Sequence, residues 1–415
     1  MRILDGAKRD RYVQTLEQRG ASDLSKVEPI VRRIVNDVRK NGDRALRRYA
    51  VRWDSLNKND ALRIPETDLQ KAWHSISPVL RNAITQAANN IRHYCEWQKP
   101  QEWRRKIHPG VCVGQLVRPL ESVGCYVPGG RYPLPSTLLM TVIPAQVAGV
   151  RDIRVVSPRP AQATLAAAAF LDVREFYCVG GAQAIAALAY GTKSIPRVDK
   201  IVGPGNRYVT AAKKLVAFDC AIEFLAGPTE AVFISEDGDP KFIASDMVAQ
   251  AEHDPDALVV FITSSQLLAK TVQKEVLLRT RVNPIAAESL SKRGAILVVS
   301  SLDQAVELAN CIAPEHLTLP AALEPIVQNA GSIFLNEFTP QSAGDYISGP
   351  NHVLPTGAMA RVRGGLSVLD FVRIISCQEI SREGIARIAP AAIALAEAEG
   401  LLGHAESLRV RCTNA

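Results

Sequence analysis

Apolar positions in the first hundred residues recur at helical spacing. Ile30, Val31, Ile34, Val35 and Val38 form one stripe, and Asn41-Gly42 closes it. Ahead of it, Ser25-Lys-Val-Glu28 reads as a capping box, in which each side chain answers an orphan N–H at the helix start. Residues 79–97 predict a second long helix. Beyond residue 110 the period changes. Short apolar runs at 153–157, 175–179, 199–202, 231–235, 258–263, 295–300 and 332–335 alternate with Ala-rich helical stretches. Such runs between helices read as buried parallel strands. The alternation predicts an α/β fold of doubly wound units with ligands at the C-terminal strand edges. Helical patterning returns over the last fifty residues.

Composition narrows the class. The chain of 415 residues is too long for one core, and at ~100–200 residues per domain it makes two to four packing units. With 47% hydrophobic and 22% charged residues it is neither fibrous nor largely disordered. The longest nearly uncharged apolar stretch, 138–150, contains Pro144 and is too short to span a bilayer. The first residues lack the apolar core of a secretory signal. Eight scattered Cys without a C-x-x-C pair argue against a disulfide scaffold or a Cys-type zinc finger and point to a reducing cytoplasm. The net charge of +7 is uneven: residues 1–110 hold 23 Lys and Arg against 13 Asp and Glu, the remainder 26 against 29. A basic third raises nucleic acid as a partner, but the charges are spread along amphipathic helices and read as a solvated face. Trp53, Trp73, Trp97 and Trp103 all fall in the helical third, where core and interface packing is the expectation.

Three strand-to-helix junctions are rich in glycine: Tyr126-Val-Pro-Gly-Gly130, Val179-Gly-Gly-Ala-Gln183 and Gly203-Pro-Gly-Asn206. Glycines at such places let backbone N–H groups approach a phosphate at a helix N-terminus. None completes G-x-G-x-x-G, since Tyr208 holds the third glycine position, and each is also compatible with a plain tight turn. Asp239-Pro240 predicts a helix start, and the helix behind it would carry Gln250 and His253 on one face, a mixed N/O pair suited to zinc. Alone, such a histidine is more often a satisfied core or capping residue than a ligand. Glu315-His316 sets a carboxylate beside an imidazole, as general acid–base chemistry needs; a helix start with Glu in its first turn is the structural alternative. Asp345 and His352 lie in a turn-dense loop that metal ligation would order. Cys125, beside Tyr126, reads as a packed neutral thiol.

Taken together, YVPGG, VGGAQA, GPGN, GPTE, AQAEHDP, APEHL, GDYISGPNHVLPTG and EGLLGH resemble the histidinol dehydrogenase family in order and spacing, from about residue 20 to His404. The resemblance implies two incomplete, doubly wound Rossmann-like domains with helical N- and C-terminal extensions. The implied partition is a helical segment over 1–20, a zinc-bearing catalytic α/β domain from 21–125 plus 229–366, an NAD-binding α/β domain over 126–228, and a helical segment over 367–415. It implies four-electron oxidation of L-histidinol to L-histidine through L-histidinaldehyde, with NAD and one zinc per subunit. Gln250, His253, Asp345 and His404 would hold the zinc, Glu315 and His316 would be the acid–base residues, and Tyr126, Gln183 and Asn206 would contact NAD. Thr229, where the family often has Ser, would face the substrate together with His316, His352, Glu399 and the four zinc residues. The family's homodimer would place the C-terminal segment, and with it His404, in the partner's active site. A relative acting on another polar alcohol, such as a sulfonated diol, is the rival expectation; retention of Glu399 and His404 favours histidinol.

Overall fold

The computed structural model describes residues 1–19, 24–129 and 133–412. Its two main sheets are wholly parallel and doubly wound. One has five strands in the spatial order Glu175–Tyr177, Asp152–Val156, Ser122–Tyr126, Lys200–Val202, Ala221–Ile222. The other has six, in the order Arg2–Leu4, Ala295–Val298, Leu258–Thr263, Glu230–Ile234, His316–Leu319, Ser332–Leu335. In the first the winding reverses between Ser122–Tyr126 and Lys200–Val202, and in the second between Glu230–Ile234 and His316–Leu319. Such switch points open crevices at strand ends. The central strands are buried on both faces, as their continuous apolar runs require.

The packing divides the chain differently from the expected partition. Helix Glu28–Trp53 buries Val31, Ile34, Val35 and Val38 in the same core as Val156, Ile185 and Ile201 of the five-stranded half. Helix Pro78–Trp97 buries Ile84, Ala88 and Ile91 against Val123 and Val155 of that half. Residues 28–97 therefore belong with the expected NAD-binding unit, not with 229–366. The N-terminal segment is likewise no separate extension. Arg2–Leu4 pairs in parallel with Ala295–Leu297 as an edge strand, and Val13 of helix Gly6–Glu17 joins the core of the six-stranded half. Motif positions marked the junctions, but amphipathic faces follow the nearest sheet they can cover.

Other local expectations are also corrected. Helix Glu28–Trp53 starts with Val27 at its N-cap and Pro29 in its first turn, so Ser25 lies outside it and does not form the expected box. Gly42 kinks this helix at φ 50°, a conformation that favours glycine. The C-terminal segment is not purely helical. Val372–Ile380 pairs antiparallel with Val111–Pro119, which pairs antiparallel with Trp103–His108, before helices Arg382–Ala398 and Leu402–Cys412 complete the described chain. Trp97, Trp53 and Trp103 are exposed, with Trp53 stacked on Tyr49, and only Trp73 packs against the core. Several arginines of helix Glu28–Trp53 are paired, Arg32 with Glu28 and Arg48 with Asp37. Among the described residues, no helix is long and apolar enough to cross a membrane.

A buried ion pair fixes the third glycine-rich junction. Lys213 Nζ donates to Glu223 Oε1 (2.6 Å) and to the carbonyl of Gly203 (2.5 Å), while the Gly203 amide donates to the same Glu223 oxygen (2.8 Å). Both side chains are within 3% of full burial. Gly203 adopts φ +111°, and a Cβ there would fall 2.1 Å from the Tyr126 carbonyl. The junction is thus locked from two sides. Removing one partner of such a pair strands the other charge, so Lys213→Met should lower unfolding free energy by about 3–5 kcal/mol. A urea midpoint within error of the wild type would refute this; Lys213→Met combined with Glu223→Leu should recover much of the loss.

Candidate active site

A cleft of about 450 Å³ runs between the two main sheets. Pro128, Gly129, Pro204, Gly205 and Asn206 line it from beyond the C-terminal ends of two strands of the five-stranded sheet. Thr229, Glu315 and His316 line it from the N-terminal ends of Glu230–Ile234 and His316–Leu319. The C-terminal-edge expectation therefore fits the five-stranded half and is reversed in the six-stranded half. Gln250, His253, Asp254, Asp345, Tyr346 and His352 close the remaining wall.

Glu315 and His316 are nearly solvent-free, at 7% and 3% exposure. His316 opens a strand, so the alternative of a helix start with Glu in its first turn does not hold. Glu315 Oε2 accepts from the Thr229 hydroxyl (2.6 Å) and the Glu230 amide (3.0 Å). Burial pushes the Glu315 carboxyl up to about 7, against the opposing pull of His316 and these two donors. His316 stacks on Phe334 and lies between two carboxylates, with Nδ1 3.7 Å from Glu315 and Nε2 3.6 Å from Asp345. Those separations exceed a hydrogen bond, and neither ring nitrogen has a partner among the described residues. Burial alone would lower the His316 pKa; the adjacent carboxylates outweigh it and raise it. The Asp345 carboxyl is pushed up by burial but held below the usual carboxylate range by His316.

Asp239 caps helix Pro240–Ala251 as expected, its side chain accepting from the Lys241 amide (2.7 Å). The helix stops before His253, so Gln250 and His253 do not share a helical face. Instead His253 folds back, with Nδ1 3.0 Å from the Ala249 carbonyl and 3.3 Å from the Gln250 carbonyl. A carbonyl only accepts, so Nδ1 carries the proton and Nε2 keeps its lone pair. Gln250 Nε2 donates to Asp345 Oδ2 (3.4 Å), bringing the third expected ligand alongside. His352 is engaged at both nitrogens, Nδ1 donating to the Asp345 carbonyl (2.7 Å) and Nε2 facing the Thr137 hydroxyl (3.3 Å). Burial holds its pKa down, so the ring is neutral.

Not every expected residue reaches the cleft. Asn206 does; Tyr126 and Gln183 lie behind its wall. The Tyr126 hydroxyl accepts from the Gly181 amide (3.1 Å), and Gln183 Nε2 donates to Asp54 Oδ2 (3.1 Å). Asp54 also accepts from the Gly180 amide (3.1 Å) and went unnoticed in the sequence, where it looks like an ordinary residue after a helix. Ser136 and Thr137 were missed too, although Pro135 followed by two hydroxyl residues is a readable helix start. Glu399 and His404 are exposed on the C-terminal helices and do not line the cleft. Accordingly, no cluster of three or more His, Cys, Asp and Glu able to hold a metal occurs among the described residues. Cys125 is fully buried, and burial pushes its thiol up to about 12, as the neutral-thiol reading expects.

The histidinol dehydrogenase family profile matches residues 17–412. A histidinol dehydrogenase of Methanothermobacter thermautotrophicus is 44% identical over 97% of both chains, and one of Aquifex aeolicus 44% identical over 99% of both. The crystal structure of histidinol dehydrogenase from Elizabethkingia anophelis superposes with a TM-score of 0.94 at 34% identity, covering 100% of this chain and 98% of that one. By sequence over nearly its whole length and by fold, the chain belongs to the histidinol dehydrogenase family.

Proposed function

We propose that this chain oxidises L-histidinol to L-histidine in histidine biosynthesis, as a cytoplasmic homodimer, in two two-electron steps through L-histidinaldehyde. The observation that carries the reading is His316, a buried imidazole with both nitrogens unpartnered among the described residues, set between two carboxylates on the cleft wall. NAD, when bound, supplies the hydride acceptor for both steps. Asn206 would contact it directly, while Tyr126 and Gln183 support the turns around it.

In the first step His316 takes the hydroxyl proton as the carbinol carbon loses its hydride. In the second, Glu315 takes a proton from the water that adds to the aldehyde while His316 returns its first proton to the aldehyde oxygen. The freed His316 then takes a hydroxyl proton of the resulting hydrate as its hydride departs. One water is consumed and four electrons leave. Thr229 holds the Glu315 carboxylate in place through its hydroxyl, and His352 fixes the Asp345 loop to the helix that starts at Pro135.

Gln250, His253 and Asp345 form three parts of a mixed N/O donor set that suits zinc. The fixed tautomer of His253 and the ionised Asp345 support this assignment. A zinc ion held by these residues would supply a Lewis-acid template that orients the substrate. His404 of a second copy would be the fourth ligand, and Glu399 of that copy would face the substrate. The exposed Ile374, Ile375, Trp103 and Ile107 on the antiparallel sheet support burial of that region by another chain.

The overall reaction is tested by absorbance at 340 nm. L-histidinol should give two NADH per molecule, and a panel of amino alcohols and a sulfonated diol should give none. Activity on another alcohol without any on histidinol would discard the reading.

Both acid–base groups act deprotonated and both are shifted upward, so activity should fall as pH drops through about 7, with apparent values belonging to the pair. Glu315→Gln should slow oxidation of supplied aldehyde more than the first hydride step and remove the inflection near 7 from it. His316→Asn should slow both steps, by roughly 10²–10⁴-fold. Equal, small effects from both variants would reduce these residues to packing.

Sharing of the site between chains is tested by co-refolding His253→Ala with His404→Ala. Mixed dimers would carry one intact site, and random pairing should return roughly a quarter of wild-type activity. Mixed dimers confirmed by mass yet as inactive as their parents would refute the shared site.

A further inference from the structure

Side chains of a strand alternate between its faces, so His316 and Thr318 stand on one face of theirs. The neighbouring edge strand runs parallel, with Ser332 beside His316 and Phe334 beside Thr318. Phe334 is 5% exposed and stacks on the His316 ring, centroids 5.8 Å and planes 25° apart. The short helix Gln341–Tyr346 meets the same face. Gln341 Nε2 donates to the Thr318 hydroxyl (3.0 Å), and Asp345 Oδ1 comes 3.6 Å from His316 Nε2.

Between those two contacts lies Gly344. A Cβ there would fall 2.6 Å from Cε1 and 2.8 Å from Cζ of Phe334, closer than carbon atoms pack. The ring thus fills the place that a side chain at 344 would need. Gly344 is inside a helix, where alanine is the better former, so the reason for glycine is the ring and not the backbone. Phe334 is held between the imidazole of one strand and the helix backbone that delivers Asp345. Any apolar residue of similar volume would serve for packing alone. A flat ring matters where the plane of the imidazole matters. A base must aim one lone pair at the proton it takes, and misplacement of about 1 Å can cost on the order of a hundredfold.

We propose that Phe334 is a positioning residue for the oxidation, with Gly344 as the slot that admits its ring. Together they set the plane of His316 and its spacing from Asp345. This rests on the reading of His316 as the base, and the test separates the two.

NADH formation gives kcat and KM for L-histidinol, elemental analysis gives zinc, and the melting temperature reports the fold. Phe334→Leu keeps an apolar side chain but removes the plane, and should lower kcat roughly tenfold with KM within about twofold. Gly344→Ala favours the helix yet displaces the ring. A cavity of about 230 Å³, bordered by His316, Phe334, Gly344 and Asp345, lets the ring move without unfolding. This variant should lose a similar factor in kcat, with zinc content and melting temperature kept, and it alone decides should Phe334→Leu fail to fold. Both changes act through His316, so in a His316→Asn background each should lower kcat by less than about twofold. Wild-type kcat in Gly344→Ala, with His316→Asn crippled, would overturn the positioning role and leave the base reading standing. A tenfold loss that persists in the His316→Asn background, or zinc lost from Gly344→Ala, would tie these residues to another part of the site and overturn it too. A His316→Asn enzyme with nearly wild-type kcat would sink the base reading and this role together.

Discussion

One buried carboxylate ties the floor of the cleft together. Glu315 Oε2 receives the Thr229 hydroxyl and the Glu230 amide at the point where two neighbouring parallel strands begin. Parallel strands leave N–H groups unanswered at their starts, and here a side chain answers one of them. The same corner is anchored from outside. Glu230 takes a bidentate grip from Arg19 (2.8 and 2.7 Å) and the Gly357 amide (3.1 Å). The end of the first helix, the start of a central strand and the loop near residue 357 thus converge on Glu315 and His316. Displacing Glu315 would disturb a sheet corner as well as the cleft wall.

The cleft owes its polarity to two sheets meeting at unlike edges. The five-stranded sheet presents C-terminal strand ends, where loops and helix N-termini gather donors. The six-stranded sheet presents N-terminal strand ends, where Glu315 and Asp345 gather negative charge around His316. An elongated ligand with an anionic end and a cationic end matches that gradient, and no Lys or Arg lines the cleft among the described residues.

Much of the fold was legible because buried parallel strands are written as short apolar runs, and all seven such runs found in the sequence overlap strands. The strands that escaped notice are those whose signal is weak by nature. Arg2–Leu4 is an edge, Ala221–Ile222 is very short, and Trp103–His108 is exposed throughout. His316–Leu319 was hidden because its first residue is a buried polar one, which interrupts the apolar run. The motif residues that converge in one chain, Thr229, Gln250, His253, Glu315, His316, Asp345 and His352, were readable as chemistry. Asp54 was not, because its partner glycine lies 126 residues away and helix ends are full of aspartates that do nothing similar. The domain partition failed because sequence order says nothing about which sheet an amphipathic helix will cover.

The Asp54 carboxylate makes one glycine-rich turn self-sufficient. Its helix start is answered in the absence of any ligand, so the fold of that turn is thermodynamically uncoupled from the cofactor. Linkage allows a ligand to stabilise only what it contacts in the native state and not in the unfolded one. That side of the switch point is therefore a scaffold formed before any ligand arrives, held by the protein's own carboxylate.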